Sequence, residues 1–120
     1  MACDLDAIVL AIEGKSCLVG REFDVHDAVE SALGDLGVAF EREVPLGAGA
    51  RVDFLVDGNV GLEVKVKGSL SDVTRQLWRY AKVERVGSLL LVTTIIRLCH
   101  VPKLLLGKPV RVALIQGGWM

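Results

Sequence analysis

A chain of 120 residues has room for one compact domain and not for two. Its hydrophobic fraction of 52% excludes a disordered chain and is sufficient to build a core. The net charge of −1 conceals an asymmetry, since residues 1–50 carry ten acidic and three basic residues and the remainder carries five acidic and eleven basic ones. Such an asymmetry occurs in nucleic-acid enzymes with an acidic metal site and also in many other proteins, so it assigns no function by itself.

No segment of the sequence is predicted to cross a membrane. The longest central apolar run, residues 89–96, is interrupted by two threonines and is far shorter than the roughly 20 residues that a spanning helix needs. Asp4 and Asp6 occupy positions where a signal peptide would carry basic residues, so we expect a cytoplasmic protein. The odd number of cysteines and their unrelated spacings argue against a disulfide framework or a zinc site and favour small buried side chains: Cys3, Cys17 and Cys99.

Two helices are predicted at the start of the chain. Apolar residues recur at helical spacing over residues 4–14, and Gly14 is expected to end this short helix. Residues 22–36 repeat the spacing, with acidic residues in the first turns, where the helix dipole favours negative charge, and with Gly37 as the stop. Three strands are predicted next, over residues 38–45, 51–56 and 60–66.

The rest of the chain is predicted to complete a mixed sheet. A helix capped near Ser69 extends to about residue 85, and the continuous apolar run 88–93 is typical of a strand buried on both faces. Residues 101–106 are predicted to be a short helix and residues 110–115 a last strand. An antiparallel meander followed by a crossover helix and a parallel strand gives an α/β domain with a mixed sheet flanked by helices on both faces.

The hairpin formed by the second and third strands carries charge where the core pattern predicts apolar residues. Glu63 and Lys65 are two residues apart and therefore share one face of the third strand. Asp53 joins them only if it pairs with Glu63, which requires a three-residue loop, Asp57-Gly58-Asn59, or a two-residue turn with a bulge. A plain two-residue turn places Asp53 on the opposite face.

If the register brings these three side chains together, they have the chemistry of a divalent-metal site. Carboxylates are hard oxygen ligands suited to Mg²⁺ or Mn²⁺, and the backbone carbonyl of Val64 adds one more oxygen. The metal would polarise a phosphate and lower the pKa of a water, while Lys65 would orient that water and stabilise developing charge. The alternative is an exposed strand with ordinary cross-strand pairs between acidic residues and lysine.

The spacing of Asp53, nine residues further Glu63, and then Lys65 resembles the signature of the PD-(D/E)XK, or restriction-endonuclease-like, nuclease superfamily. The following helix holds Gln76 and Tyr80, which is similar to the QxxxY motif of the RecB-like branch. The small stand-alone members are also similar, among them the VRR-NUC, GxxExxY and archaeal Holliday-junction-resolvase groups. The predicted element order matches over about three-fifths of the chain. In two departures, a valine stands where the family name has proline, and no GxxExxY string is present.

The resemblance implies that residues 1–120 form a single PD-(D/E)XK nuclease-like domain with a restriction-endonuclease-like mixed sheet. It implies an Mg²⁺-dependent (or Mn²⁺-dependent) deoxyribonuclease that leaves 5′-phosphate and 3′-hydroxyl ends. The implied catalytic residues are Asp53, Glu63, Lys65, Gln76 and Glu30. The implied metal ligands are Asp53, Glu63, Val64 and Glu30, with His26 as the second choice on the helix that carries Glu30.

A band of basic side chains on the helix after the hairpin is the predicted contact to nucleic acid. The band consists of Arg75, Arg79 and Lys82, and Lys67, just after the third strand, extends it. Tyr80 on the same helix is also predicted to contact nucleic acid. An ordinary solvated helix face has the same appearance. DNA is the expected partner, and the surplus of apolar residues on a small domain also favours a homodimer. The rival hypotheses are an RNA or single-stranded substrate and a non-catalytic binding or assembly module that retains the nuclease fold.

Overall fold

The computed structural model describes residues 4–15 and 22–116, except for the side chains of residues 22–24. The elements in chain order are α1 (Leu5–Glu13), α2 (Glu22–Leu36), β1 (Phe40–Gly47), β2 (Ala50–Val56), β3 (Val60–Lys65), α3 (Leu70–Ala81), β4 (Ser88–Thr93), a 3₁₀ helix (Ile96–His100), β5 (Leu104–Leu105) and β6 (Lys108–Leu114). None of the helices in this described part combines the length and hydrophobicity that a membrane crossing requires. Cys3 and Cys17 lie outside the described residues, and Cys99 is half-buried and not disulfide-bonded.

Local side-chain chemistry sets where the helices begin and end. The Asp4 carboxylate caps α1, and Ser69 Oγ caps α3 by accepting the amide of Asp72 at 3.1 Å. The cap at Ser69 lies where the sequence predicts the start of α3, whereas the cap at Asp4 was not predicted. Helix α3 ends at Ala81, four residues earlier than predicted, because the chain turns inward to bury Val86 completely.

The strands form one mixed sheet in the order β1-β2-β3-β4-β6-β5. β1, β2 and β3 are an antiparallel meander, β3 pairs with β4 in parallel through the crossover helix α3, and β4 pairs with β6 in parallel. The predicted α/β class with a mixed sheet is therefore confirmed. The two central strands β3 and β4 are buried at every position except one end residue each, as expected for strands covered on both faces.

The segment 101–106 is not the short helix that the sequence predicts. The 3₁₀ helix lies earlier, at Ile96–His100, and Leu104–Leu105 is an edge strand that pairs with the beginning of β6. The turn between them has left-handed backbone angles at Leu106 (φ 53°) and Gly107 (φ 78°), which is the geometry of a tight two-residue hairpin. A leucine in the first turn position is not typical of such a hairpin, and Gly107 alone does not predict the turn.

Two apolar layers enclose the sheet. Helices α1 and α2 pack on one face over a cluster that includes Phe54, Leu62 and Leu90. Helix α3 and the 3₁₀ helix pack on the other face over a cluster that includes Leu77 and Leu91. Each face of β2 and β3 is thus covered by a helix, α2 on one side and α3 on the other, and Glu63 on β3 is held against protein rather than water.

Candidate active site

The hairpin between β2 and β3 decides whether the acidic residues meet. Its loop has three residues, 57–59, and the last ladder pair of the two strands is Phe54 with Leu62. The same register places Asp53 across from Glu63. This register is the one predicted for a three-residue loop, so the condition for Asp53 to lie near Glu63 and Lys65 is met.

Beyond this last pair, β2 and β3 separate, and the acidic side chains fill the gap. The amide of Val64 donates to Asp53 Oδ2 at 2.9 Å, and the amide of Asp53 donates to Glu63 Oε1 at 3.2 Å. Carboxylate oxygens thereby take the place of backbone carbonyls as acceptors. Because the N–H and C=O of one residue in an extended strand point to the same side, the carbonyl of Val64 also faces this gap.

A backbone irregularity in β1 accompanies the turn of Asp53 into the gap. Glu43 has a left-handed φ of 53°, and it lies across from Asp53 between two regular ladder pairs of β1 and β2. Val52 and Phe54 are two residues apart, yet they pack in the clusters on opposite faces of the sheet. Strict alternation is therefore broken at Asp53, which lies between the two faces instead of on either one.

Glu63 is the most enclosed charged group of the site. Its side chain is 5% exposed, and its two oxygens contact three further side chains. Gln76 Nε2 donates to Oε2 at 3.1 Å, Lys65 Nζ lies 3.6 Å from Oε2, and the Tyr80 hydroxyl lies 3.0 Å from Oε1. The sequence-predicted trio of Asp53, Glu63 and Lys65 is thus brought together in one place.

Burial controls the proton affinity of this acid. Desolvation, followed by the negative charge of Asp53, raises the pKa of Glu63 to about 7, against the opposing effects of Lys65 and Tyr80. Burial and the neighbouring Glu63 also raise the pKa of Tyr80, so its hydroxyl stays protonated. The Tyr80 hydroxyl has one proton to donate and two acceptors within reach: its oxygen lies 3.0 Å from Glu63 Oε1 and 2.8 Å from the carbonyl oxygen of Arg51. The contacts are fully satisfied when Glu63 is protonated and Tyr80 donates to Arg51.

The spacing of Gln76 and Tyr80 has a physical reason in this structure. Residues four apart lie on one face of a helix, and here the two side chains contact each other, with Gln76 Nε2 donating to Tyr80 Oη at 2.8 Å. Both reach Glu63 from α3. The pair therefore fixes the orientation of the Glu63 carboxylate, whereas side chains on a solvated helix face have no such fixed partner.

On the other side of the gap, α2 contributes a histidine. His26 Nε2 lies 3.8 Å from Asp53 Oδ2. Arg42 on β1 joins the helix to this contact, with one nitrogen 3.1 Å from His26 Nδ1 and the other 3.1 Å from Glu30 Oε1. Glu30, the first choice from the sequence, is thus held by Arg42, and His26, the second choice, is the α2 side chain in contact with Asp53.

The donor set of the gap fits a hard divalent cation. Across residues 4–15 and 22–116, no group of three or more histidine, cysteine or acidic side chains is close enough to hold a metal. The gap instead offers two carboxylates, Asp53 and Glu63, and the carbonyl of Val64. Mg²⁺ commonly takes one or two carboxylates and completes its shell with water and phosphate oxygens. A buried acid with a raised pKa beside a second acid is also relieved by a cation.

The predicted nucleic-acid contacts divide into exposed and buried groups. Lys67, Arg75, Arg79 and Lys82 are exposed. Arg75 pairs with Asp72, and Lys82 Nζ lies 4.5 Å above the Trp78 ring. Tyr80 is only 1% exposed, so its prediction as a nucleic-acid contact is wrong: the hydroxyl is turned inward to Glu63 and Arg51.

Two features of the site were missed by sequence reasoning. Arg42 was not singled out, although it bridges two predicted candidates, because a charged residue in an edge strand is unremarkable in a sequence. The left-handed conformation of Glu43 also has no sequence signal, since such angles are expected at glycine or asparagine.

No match was found when the chain was compared with protein-family models, with curated proteins and with solved structures. Membership of any family is therefore not established, and a functional conclusion must rest on the residues and their geometry.

Proposed function

We propose that this protein is a metal-dependent endonuclease that hydrolyses DNA phosphodiester bonds at a PD-(D/E)XK-type site. The observation that supports this most strongly is the meeting of Asp53, Glu63 and Lys65 in the gap between β2 and β3, in the register that their spacing requires. The restriction-endonuclease-like fold is part of the same proposal, and it agrees with the mixed sheet and its crossover helix.

Asp53, Glu63 and the carbonyl of Val64 would hold Mg²⁺ or Mn²⁺. The ion supplies Lewis acidity, which polarises the scissile phosphate and lowers the pKa of an attacking water. Glu63 must lose its proton to act as a ligand, and Gln76 and Tyr80 keep its two oxygens in a fixed orientation as it does so. In this arrangement the protein contributes pre-organised oxygen ligands, so little rearrangement accompanies the reaction.

Lys65 is the group that would act on the reacting atoms. Its ammonium lies 3.6 Å from Glu63 Oε2 on the more exposed side of the gap, where a phosphate is able to approach. A cation at this position stabilises the extra negative charge of the transition state and orients the nucleophile for in-line attack.

A nucleic-acid substrate is favoured because exposed basic residues accompany the acidic gap, and DNA is the nucleic acid that the resemblance implies. Lys67 follows the strand that carries Lys65, and Arg79 lies one turn from Gln76 on α3. Side chains of this kind neutralise backbone phosphates and carry no sequence information. We therefore propose a structure-selective activity on branched or junction DNA, carried out by a homodimer, in preference to recognition of a base sequence.

The test is cleavage of a panel of linear, flapped and four-way DNA substrates with Mg²⁺, Mn²⁺ or EDTA. We expect metal-dependent cleavage that falls by at least about a hundredfold in Asp53→Asn and in Lys65→Met. Asp57→Asn, which removes an exposed carboxylate from the neighbouring loop, is the matched control and is expected to retain activity. Cleavage that survives Lys65→Met together with Asp53→Asn would contradict the proposal.

A non-catalytic binding module is the second candidate function. The supporting observation is that each of the two carboxylate oxygens of Glu63 already accepts a hydrogen bond from the protein. DNA binding that is equally tight in EDTA and Mg²⁺, with no cleavage of any substrate in the panel, would establish this alternative. RNA substrates belong in the same panel, since phosphate contacts alone do not distinguish the two nucleic acids.

A further inference from the structure

The contact between Arg42 and His26 restricts the chemical state of the histidine ring. The guanidinium nitrogen of Arg42 lies 3.1 Å from His26 Nδ1. A guanidinium has hydrogen-bond donors only and is always protonated in proteins. Nδ1 of His26 must therefore be the acceptor, which means that it carries a lone pair and no hydrogen.

Only one of the three states of an imidazole satisfies this requirement. The cationic ring has a hydrogen on both nitrogens, and the neutral Nδ1–H tautomer has its hydrogen on the nitrogen that faces Arg42. The neutral Nε2–H tautomer alone offers an acceptor at Nδ1. Nε2 is the atom that lies 3.8 Å from Asp53 Oδ2, so a hydrogen and not a lone pair is turned toward the acidic gap.

The surroundings hold this arrangement in place from three directions. Phe54 is completely buried, and its ring contacts His26 at a centroid distance of 5.6 Å and Arg42 at 4.7 Å. Glu30 Oε1 forms an ion pair with the second nitrogen of the same guanidinium at 3.1 Å. The planar Arg42 group is thus fixed by a carboxylate, an aromatic face and the histidine, which leaves it little freedom to release Nδ1.

We propose that Arg42 is a positioning residue that keeps His26 in the Nε2–H tautomer, so that His26 turns an N–H group toward Asp53 and does not ligate the metal. The tautomer follows from the contacts alone, whereas its importance at the metal site rests on the proposed nuclease function. A metal ligand must offer a lone pair, which this tautomer lacks at Nε2. The N–H instead attracts the negative charge of Asp53 and leaves the carboxylates and Val64 to bind the cation.

Nitrogen-15 NMR of the metal-free protein tests the tautomer directly. The chain has two histidines, and His100 on the exposed surface of the 3₁₀ helix serves as the internal reference. We expect His26 Nδ1 to resonate among unprotonated ring nitrogens and Nε2 among protonated ones. Averaged shifts for His26, or protonated Nδ1, would overturn the proposal.

Variants then separate positioning from simple structural support. Arg42→Met is expected to give His26 averaged shifts, and Arg42→Lys, which restores a donor, is expected to restore the wild-type pattern. Arg111→Met is the matched control, because Arg111 also lies on a strand and pairs with an acid on a helix, Asp6. Unchanged His26 shifts in Arg42→Met would overturn the role of Arg42. If Arg42→Met does not fold, the wild-type spectrum and Arg42→Lys still decide the question.

Titration with Mg²⁺ and cleavage assays test the consequence at the metal site. We expect the His26 pattern to persist at saturating Mg²⁺, and a shift of Nε2 to the unprotonated region would show that His26 is a ligand after all. We expect Arg42→Met to lower the cleavage rate about tenfold at fixed Mg²⁺, as loss of support behind a ligand does, with partial recovery in Arg42→Lys. A rate equal to that of Arg111→Met would show that the tautomer does not matter for turnover. Absence of cleavage in every protein would refute the nuclease function and leave the tautomer result intact.

Discussion

The two helices that flank the acidic pair meet it in different ways. From α3, Gln76 and Tyr80 enclose Glu63, whose side chain is 5% exposed. From α2, His26 approaches Asp53, whose side chain is 16% exposed. The α3 side removes water and thereby raises the proton affinity of its acid, whereas the α2 side leaves its acid accessible and acts through the direction of one hydrogen. Enclosure by α3 therefore changes the proton affinity of Glu63, whereas α2 places the His26 ring next to Asp53.

The largest expected effect concerns the stability contributed by the buried acid. The folded-state pKa of Glu63, about 7, is above its ordinary value of 4.5, so protonation favours the folded state and the free energy of unfolding falls as pH rises from about 4.5 to 7. The full difference is about 3 kcal/mol above pH 7. Glu63→Gln is expected to remove up to this amount from the stability difference between pH 5 and pH 8, measured by urea unfolding. Glu84→Gln, at an exposed position, is the control.

The same proton makes metal binding depend on pH. Below pH 7 a cation must displace the proton from Glu63, so the affinity for Mg²⁺ is expected to rise up to tenfold per pH unit and to level off above pH 7. Calorimetry in two buffers of different ionisation enthalpy measures the proton released. Equal affinities for Mg²⁺ at pH 6 and pH 8, with no proton release, would show that the proton on Glu63 does not compete with the cation.

Removal of the Tyr80 hydroxyl probes the α3 side without changing charge. Tyr80→Phe leaves the carbonyl of Arg51 without its buried donor, and it is expected to lower the free energy of unfolding by about 1–2 kcal/mol. Trp78→Phe, at a 41% exposed position on the same helix, is the control and is expected to change stability by less than about 0.5 kcal/mol. A neutral result for Tyr80→Phe would mean that the hydroxyl does not support the site.

The smallest expected effect is on the exposed basic residues. Lys67→Ala and Arg79→Ala are each expected to weaken binding of DNA modestly and to reduce the slope of log affinity against log salt by about 1. Lys103→Ala, an exposed lysine in the loop before the far edge strand β5, is the control. Identical salt slopes for all three variants, measured by fluorescence anisotropy, would remove the predicted band from the binding surface.

The α3 side was largely predictable from the sequence because it depends on periodicity. Two-residue spacing puts Glu63 and Lys65 on one face of a strand, and four-residue spacing puts Gln76 and Tyr80 on one face of a helix. The length of the 57–59 loop then set the register that brings Asp53 to Glu63. Spacing does not report depth, however, and Tyr80, which was included among the predicted nucleic-acid contacts, is buried.

The α2 side was less predictable because it depends on how separate elements pack. Glu30 and His26 lie one turn apart on the same helix face, so periodicity ranks them equally. Arg42 on β1 contacts both of them, and its contact with His26 joins residues sixteen positions apart in the chain. Likewise, the edge hairpin at Leu106 replaced a predicted helix through a left-handed backbone angle that no side chain announces. Long-range packing and unusual backbone angles are the two kinds of information that a single sequence lacks.

The separation of β2 from β3 has a consequence for how the centre of the sheet exchanges with solvent. The amide hydrogens of Asp53 and Val64 are bonded to carboxylates of the gap and not to a neighbouring strand. Their replacement by deuterium therefore depends on the carboxylates of the gap as well as on opening of the surrounding strands. These two backbone positions thus act as indicators of whether the acidic gap is protonated, charged or occupied by a cation.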